Sequence, residues 1–233
     1  SVNITGGTHS VARTCFVGEA GSGTLEISGG VLNAGTDELG SFRIADYGSG
    51  PGTGIVNLSA TGEVNAPNYT AVGGAGNGTL NITGGTWNQA AGGIVVGDAA
   101  DLNWTGSGEV NQSGGTVNAD YVFLQKGTYN LNGGVLAAFG VADTKAEKIG
   151  VFNFNGGTLR ARDNSADFIT ADTVEIKSGG AIIDTQTNNV TIAKDLSGAG
   201  GLTKKGAGIL TLAGANTYSG ATKVEAGTLR IQA

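Results

Sequence analysis

The sequence has few of the residues on which disulfides, metal sites and most catalytic centres depend. Its 233 residues include a single cysteine, Cys15, and a single histidine, His9. One cysteine excludes an intrachain disulfide, and one histidine excludes a metal site built from several histidines. We expect Cys15 to be a small buried hydrophobic residue rather than a reactive thiol. We expect His9, which follows a glycine pair, to be a surface or corner residue rather than a catalyst.

Charge and long apolar runs are also scarce. Charged residues make up 14% of the chain, and the net charge of −6 disfavours nucleic acid as a partner. No apolar run approaches the roughly 20 residues of a membrane-spanning helix, and no signal peptide is recognisable, so we expect no membrane insertion. The charge is uneven: the segment from Lys194 onward carries +3, and residues 1–193 carry −9.

Glycine is abundant, with 44 residues, and much of it occurs in pairs that close a repeated unit. The clearest copy is Gly-Thr-Leu-Asn-Ile-Thr-Gly-Gly-Thr-Trp-Asn at residues 78–88, in which apolar and polar residues alternate before the glycine pair. Such pairs predict sharp corners, because glycine adopts backbone angles that other residues resist. The predicted corner residues are Gly6, Gly7, Gly29, Gly30, Gly84, Gly85, Gly114, Gly115, Gly133, Gly134, Gly156, Gly157, Gly179 and Gly180, with a weaker corner at Thr61-Gly62.

The spacing of these pairs predicts a repeat architecture. Alternation over three or four residues is the period of a β-strand. The spacings between successive corners cluster near 23 residues and stretch to about 30 where loops intrude, which is the range of solenoids. Each unit contains two further short apolar runs, so we predict three strands per turn. The predicted fold is a parallel β-helix of roughly nine turns that occupies residues 1–233 as one continuous solenoid.

The outward polar position of the first strand of each turn should form a column along the axis. Its asparagines are Asn3, Asn57, Asn81, Asn111, Asn130 and Asn153, with Glu26 and Glu175 at two further turns. Stacked asparagines can hydrogen-bond to one another, as they do in cross-β assemblies. The alternative is a row of solvated polar residues, and the sequence does not decide between the two.

Neither end of the chain carries a recognisable cap, which solenoids normally need to cover apolar surface and unpaired strand edges. We therefore expect the ends to be covered either by flanking solenoid segments or by copies of the same chain. Head-to-tail stacking of copies would produce a fibre. The acidic body and the basic C-terminal segment would favour that polarity.

Two other functions deserve comparison with a structural role. Parallel β-helices can host polysaccharide lyases and hydrolases, which need converging carboxylates or carboxylates with basic residues. The candidate groups are Asp98 with Asp101, and Arg160 and Arg162 with Asp163 and Asp167. Nothing in their spacing forces them together, so we predict no enzyme. A glycan-binding adhesin is the third hypothesis, with Tyr47, Tyr69 or Trp104 as exposed aromatic contacts.

No cofactor is expected, and calcium is the one metal for which there is any candidate. Asp98 with Asp101, or Asp37 with Glu38, could contribute oxygen ligands. An isolated pair is weak beside the six to eight oxygens that calcium prefers. The glycine- and aspartate-rich nonapeptide that binds calcium in other β-helices is absent from the sequence.

From about residue 196 the repeat changes, and this segment resembles the passenger-associated transport repeat of bacterial autotransporters. The matching residues are Gly201-Leu202-Thr203-Lys204, Gly206, Gly208, Leu210-Thr211-Leu212, Asn216-Thr217-Tyr218-Ser219-Gly220 and Gly227-Thr228-Leu229. The repeat covers residues 196–231, and the upstream glycine-pair units at 1–195 resemble the looser repeats of large bacterial adhesin-like surface proteins. The resemblance implies a right-handed β-helix, export, and display at the bacterial surface or beyond it.

Overall fold

The computed structural model describes residues 1–37, 40–46, 52–97, 105–143 and 149–232. Their secondary structure consists of 27 β-strands. In chain order these are β1 (Val2–Val11), β2 (Cys15–Val17), β3 (Ser22–Ala34), β4 (Phe42–Ile44), β5 (Thr53–Leu58), β6 (Glu63–Ala66), β7 (Thr70–Val72), β8 (Asn77–Ile82), β9 (Thr86–Gln89), β10 (Ile94–Val96), β11 (Gly108–Gln112), β12 (Thr116–Asn118), β13 (Tyr121–Leu124), β14 (Gly127–Leu131), β15 (Val135–Ala138), β16 (Gly140–Ala142), β17 (Val151–Phe154), β18 (Thr158–Ala161), β19 (Ser165–Ile169), β20 (Thr173–Ile176), β21 (Ala181–Asp184), β22 (Val190–Ile192), β23 (Leu196–Ser197), β24 (Leu202–Lys205), β25 (Ile209–Leu212), β26 (Thr222–Val224) and β27 (Thr228–Ile231).

The strands stack into two parallel sheets, each running along the axis of a coil. The smaller sheet contains β2, β4, β7, β10, β13, β16, β19, β22, β25 and β27, and the other 17 strands form the larger sheet. Within the larger sheet, the first strand of a turn pairs with the first strand of the next turn, as β5 does with β8 and β8 with β11. The second strands pair in the same way, as β6 does with β9 and β9 with β12.

This arrangement is a β-helix in which each turn supplies two strands to the larger sheet and one to the smaller. In the first two turns the two strands of the larger sheet are continuous, as β1 and β3. About nine turns are followed by β26 and β27, which begin another. The predicted parallel β-helix with three strands per turn and about nine turns is confirmed.

The core fills the inside of the coil with alternate residues from each strand. In β5, Val56 and Leu58 are buried, and Asn57 between them faces outward and is only half-buried. The largest enclosed side chains are aromatic and include Trp87 and Phe42, whose rings meet edge to face with centroids 5.2 Å apart. Full burial of a side chain of this size stabilises the fold by roughly 1.5–3 kcal/mol. No single turn encloses a core, so this stabilisation requires the turns above and below.

The corners between the first and second strands combine an unusual backbone angle with close stacking. At Gly134 φ is +68°, and a Cβ atom there would lie 2.5 Å from the carbonyl oxygens of Gly114 and Gly115 in the preceding turn. In most pairs the second glycine has the positive φ, but at Gly156-Gly157 it is the first, with φ of +107°. The weaker corner at Thr61-Gly62 has its positive φ, +49°, at Ala60.

Candidate functional site

A ladder of side-chain amides runs along the outside of the larger sheet. Each asparagine donates a hydrogen bond from Nδ2 to the side-chain oxygen one turn earlier, at distances of 2.7–3.2 Å. The ladder contains Glu26, Asn57, Asn81, Asn111, Asn130 and Asn153. Asn3 lies opposite Glu26 in register but is exposed. Because the bonds all point the same way, the ladder has a direction, with the carboxylate of Glu26 as its final acceptor.

The other end of this ladder leaves one acceptor unused. The Oδ1 atom of Asn153 is buried, and no hydrogen-bond donor reaches it from the parts of the chain that the structure describes. The next residue in register is Glu175, whose carboxylate cannot donate a hydrogen bond when ionised. The ladder therefore stops where the asparagine column changes to glutamate.

A second ladder, missed by the sequence reasoning, runs parallel to the first on the second strands of the larger sheet. Asn65 donates to Asn33 at 3.0 Å, Asn88 donates to Asn65 at 2.9 Å, and Asn118 donates to Asn88 at 2.9 Å. The signal was present in the spacing, because Asn33, Asn88 and Asn118 each come three residues after the second glycine of a pair. Together the ladders make this outer face regular, polar and tied from turn to turn.

The charged patch predicted at residues 160–167 does not assemble into one site. Arg160 Nε binds Asp184 Oδ2 at 3.1 Å, and Arg162 Nη1 contacts Asp120 Oδ1 at 3.4 Å. The two arginines therefore pair with carboxylates of other turns and not with the two aspartates predicted beside them. Asp163 Oδ1 instead accepts a hydrogen bond from the backbone N–H of Asn164 at 2.7 Å.

Asp184 is held ionised by these contacts. Burial by itself would raise the pKa of this carboxyl, but the hydrogen bonds from the Gln186 backbone N–H at 3.0 Å and from Arg160 outweigh it and lower the pKa below its usual value. One carboxylate oxygen of Asp184 pairs with Arg160, and the other accepts the backbone N–H of Gln186. This arrangement stabilises the stack of turns and is poorly suited to proton transfer. We therefore assign Arg160 and Asp184 a structural role.

A buried lysine joins successive turns near the C-terminal end of the stack. Lys204 is fully buried, and its ammonium donates to Thr185 Oγ1 at 2.9 Å and to the carbonyl oxygens of Lys205 and Gly206, each at 2.8 Å. It also donates to the carbonyl oxygen of Ala226 in the following turn at 3.1 Å. Burial lowers the pKa of Lys204, and the nearby Asp184 carboxylate offsets part of that effect. The ammonium thus connects three turns through one atom.

Other residues of the transport-repeat motif also have structural contacts. Asn216 Oδ1 accepts the backbone N–H of Leu196 at 3.0 Å, which ties this turn to the one before it. The Tyr218 hydroxyl lies 2.7 Å from Thr222 Oγ1, and its ring packs against the core. Gly206 and Gly227 have φ of +82° and +70°. The residues that define the motif therefore hold corners and join turns.

The remaining predicted site residues are dispersed. His9 is exposed and lies 3.2 Å from the carbonyl oxygen of Gly6 in its own corner. Cys15 is largely buried, and burial raises the pKa of its thiol to about 11. Tyr69 is half-buried, with the guanidinium carbon of Arg43 4.9 Å from its ring centroid.

Of the four predicted calcium ligands, only Asp37 lies within the described residues. Asp37 forms an ion pair with Arg13 at 3.6 Å, whereas Glu38, Asp98 and Asp101 lie outside the described residues, as do Tyr47 and Trp104. Within the described ranges, no group of three or more His, Cys, Asp or Glu side chains could hold a metal ion. Across these ranges we find no helical segment that could span a lipid bilayer.

Comparisons with known proteins agree with this geometry. Residues 202–231, which contain Lys204, Asn216 and Tyr218, match the passenger-associated-transport-repeat family. The chain resembles an autotransporter passenger. Over 99% of its length it is 31% identical to the adhesin BmaC autotransporter of Brucella suis biovar 1 (strain 1330), and it spans about 6% of that protein. No solved structure matches the chain. The resemblance expected from residues 196–231 is therefore confirmed, and it extends to the glycine-pair turns upstream.

Proposed function

We propose that this passenger-like β-helix is an extracellular structural and adhesive element of a bacterial surface protein. The observation that carries the proposal is the similarity to an autotransporter adhesin along 99% of the chain. The structure supports it because a stack of parallel turns with two amide ladders forms a long outer face that a rigid surface element can present. The ion pairs and the buried lysine join turns, as a mechanically continuous rod requires.

The adhesive part of the proposal is tested with beads that carry the purified chain at a known surface density. We expect them to attach to epithelial cells more than albumin-coated beads do, because the folded outer face contacts the cell surface. Beads coated with the same chain after thermal unfolding are the matched control. Attachment equal to that of albumin at every density would contradict the adhesive role.

Exposure on the bacterial surface has its own test. Intact cells that express the natural gene are treated with a protease that cannot enter them. An antibody to the solenoid should then detect loss of the full-length band, and a periplasmic protein should stay intact. Protection of the solenoid until the outer membrane is permeabilised would contradict surface display.

We further propose that the terminal turns of the stack pack against additional solenoid turns, from flanking segments or from a second copy. Several large apolar side chains of these turns are exposed: Val2 at 60%, Phe16 at 43%, Val224 at 47% and Ile231 at 62%. Apolar surface beside free strand edges favours further stacking.

Electron microscopy and sedimentation over a range of concentrations distinguish the two coverings of the terminal turns. Rods that lengthen with concentration indicate self-stacking. Rods of constant length that become more stable when the natural flanking sequence is added indicate flanking turns. If the rods neither lengthen nor gain stability, the proposal fails.

A further inference from the structure

A shallow groove lies on the outside of the smaller sheet and is lined by polar, apolar and basic residues. Its volume is about 380 Å³, which is at the lower end of the range typical of small-ligand sites. Thr191, Thr211 and Arg230 lie in register on the adjacent strands β22, β25 and β27 and form one row across it. The groove therefore follows the axis of the β-helix over three turns.

One wall of the groove is built by an irregularity in the neighbouring strand, β19. Ser165 lies opposite Val190 and Ile169 lies opposite Ile192, so three residues of β19 stand against one residue of β22. Such a bulge pushes the strand out of the sheet surface and is commonly used to shape a site. Asn164, Ser165 and Ala166, at the start of this bulge, line the groove together with Thr191, Thr211 and Arg230.

The polar groups around the groove are mostly hydrogen-bond donors. Asn164 Oδ1 accepts the backbone N–H of Asn189 at 2.7 Å, and Asn189 Oδ1 accepts the backbone N–H of Ile209 at 3.0 Å. These bonds fix both amide groups and leave their NH₂ groups as donors. In the part of the chain that the structure describes, no acceptor meets either NH₂ group, and no carboxylate pairs with the guanidinium of Arg230.

The floor between these donors is apolar. Ile209 lines it together with Thr191 and Thr211, and the side chain of Val190, which also borders it, belongs to the core. A donor-rich rim over an apolar floor suits a flat ligand that has C–H faces and exposed acceptor oxygens. A sugar ring has both, and a carboxylate on that ring offers the acceptor geometry that a guanidinium binds with two parallel hydrogen bonds.

We propose that this groove binds a carboxylated sugar unit, such as a uronate or a sialate, of a surface glycan. The inference rests on the proposed adhesive function and names the ligand chemistry for it. Asp163 and Asp167 belong to the same bulged segment but do not line the groove, and their charge weakens the attraction for an anion. A single site should therefore bind weakly, and many copies on one surface would supply avidity.

The test is a titration of the isotope-labelled chain, followed by NMR, with trigalacturonate and sialyllactose. The neutral sugars galactotriose and lactose are the ligand controls. We expect saturable shifts at Asn164, Asn189 and Arg230 with the acidic sugars only. Arg230→Ala should weaken binding at least tenfold, because it removes a charge-assisted bidentate contact. The matched control, Arg13→Ala, removes another exposed arginine, which pairs with Asp37 in a distant turn, and should leave binding unchanged.

Several outcomes would overturn the groove proposal. Equal shifts with the neutral sugars would rule out the carboxylate, and shifts that depend on protein concentration without sugar would indicate a second copy in the groove. If Arg230→Ala binds the sugars as tightly as wild type, with its fold verified by circular dichroism, the guanidinium does not contact the sugar. If beads carrying the wild-type chain and Arg230→Ala attach equally well to cells, the adhesive function stands and the groove proposal fails. If wild-type beads do not attach, the adhesive function fails. In that case the NMR titration by itself tests whether the groove binds the acidic sugars.

Discussion

Replacement of Lys204 by methionine tests whether one buried ammonium holds the C-terminal turns together. Methionine keeps most of the side-chain volume but removes the donor to Thr185 Oγ1 and to the carbonyl oxygens of Lys205, Gly206 and Ala226. The Lys205 carbonyl keeps the backbone N–H of Thr185 at 3.0 Å and its hydroxyl at 3.1 Å as donors. The other two carbonyls lose the ammonium, at a cost of roughly 1–3 kcal/mol each.

The net destabilisation should be smaller than the sum of these losses, because the variant no longer buries a charge. Removal of the ammonium returns part of its desolvation cost. We expect Lys204→Met to lower the free energy of unfolding of the C-terminal turns by about 3 kcal/mol. The adjacent Lys205→Met is the matched control, since Lys205 is 44% exposed and pairs with Glu225 at 3.6 Å. An exposed pair of this kind contributes no more than about 1 kcal/mol.

The assay has to resolve the ends of the stack, because the turns of a solenoid can unfold locally. Hydrogen exchange measured by mass spectrometry on peptides from residues 202–231 should show faster exchange in Lys204→Met, with little change in residues 53–97. Urea unfolding followed by circular dichroism gives the global effect. Equal losses in the two lysine variants, or a Lys204→Met chain more stable than wild type, would refute the structural role of this ammonium.

The pH dependence supplies a second readout for the same lysine. Because burial lowers the pKa of Lys204 below its ordinary value, the unfolded chain holds this proton more tightly than the folded chain. The contribution of Lys204 to stability should therefore increase as the pH rises from neutrality towards that ordinary value. The difference in stability between wild type and Lys204→Met should widen over this range. A difference that narrows would contradict the direction of the shift.

Three further predictions follow from the ladders, the corners and the thiol. Asn81→Ala breaks two ladder hydrogen bonds and should lower the free energy of unfolding in urea by about 1–2 kcal/mol. Asn3→Ala, at the exposed end, should leave that free energy almost unchanged, and equal losses in the two variants would argue against the ladder. Gly134→Ala should lower the free energy of unfolding by at least about 2 kcal/mol more than Gly7→Ala does. Both glycines have positive φ, but only Gly134 has no space for a Cβ atom. Similar melting temperatures of the two variants would show that stacking does not restrict this corner. Cys15, with its thiol pKa raised to about 11, should react slowly with iodoacetamide at pH 8 in the native chain and fully in denaturant, and rapid native labelling would contradict its burial.

Much of the fold was predictable because the features that specify it are local. The alternation in Leu80-Asn81-Ile82 and the glycine pair that follows predict a strand and a corner without knowledge of any distant residue. The near-constant spacing then predicts that equivalent residues stack in a column, and only the structure shows that the asparagines of that column bond to one another. The segment from about residue 196 onward was likewise recognisable, because its residues resemble the transport-repeat motif of a known family.

The groove and the role of Lys204 were not predictable in this way, because each depends on residues brought together from several turns. Lys204 sits in a segment that reads Thr-Lys-Lys, and only the structure shows that it is enclosed while Lys205 remains exposed. The groove requires the bulge in β19, and no simple periodicity marks residues 166–168 as extra. Arg160 and Arg162 illustrate the reverse case, since both lie close to Asp163 in sequence but pair with Asp184 and Asp120.

By itself, the sequence determined the strand period, the corner positions and the stacking of like turns, because backbone sterics and side-chain alternation act over a few residues. Only the tertiary structure decided which charges are paired, which lysine is buried and where the outer face is indented. Those properties depend on residues that different turns bring together, as with Arg160 opposite Asp184 in the next turn, and on the one register shift in β19. A repeat of this kind therefore specifies its scaffold locally, whereas the groove that we propose as a binding site lies where the repeat is broken.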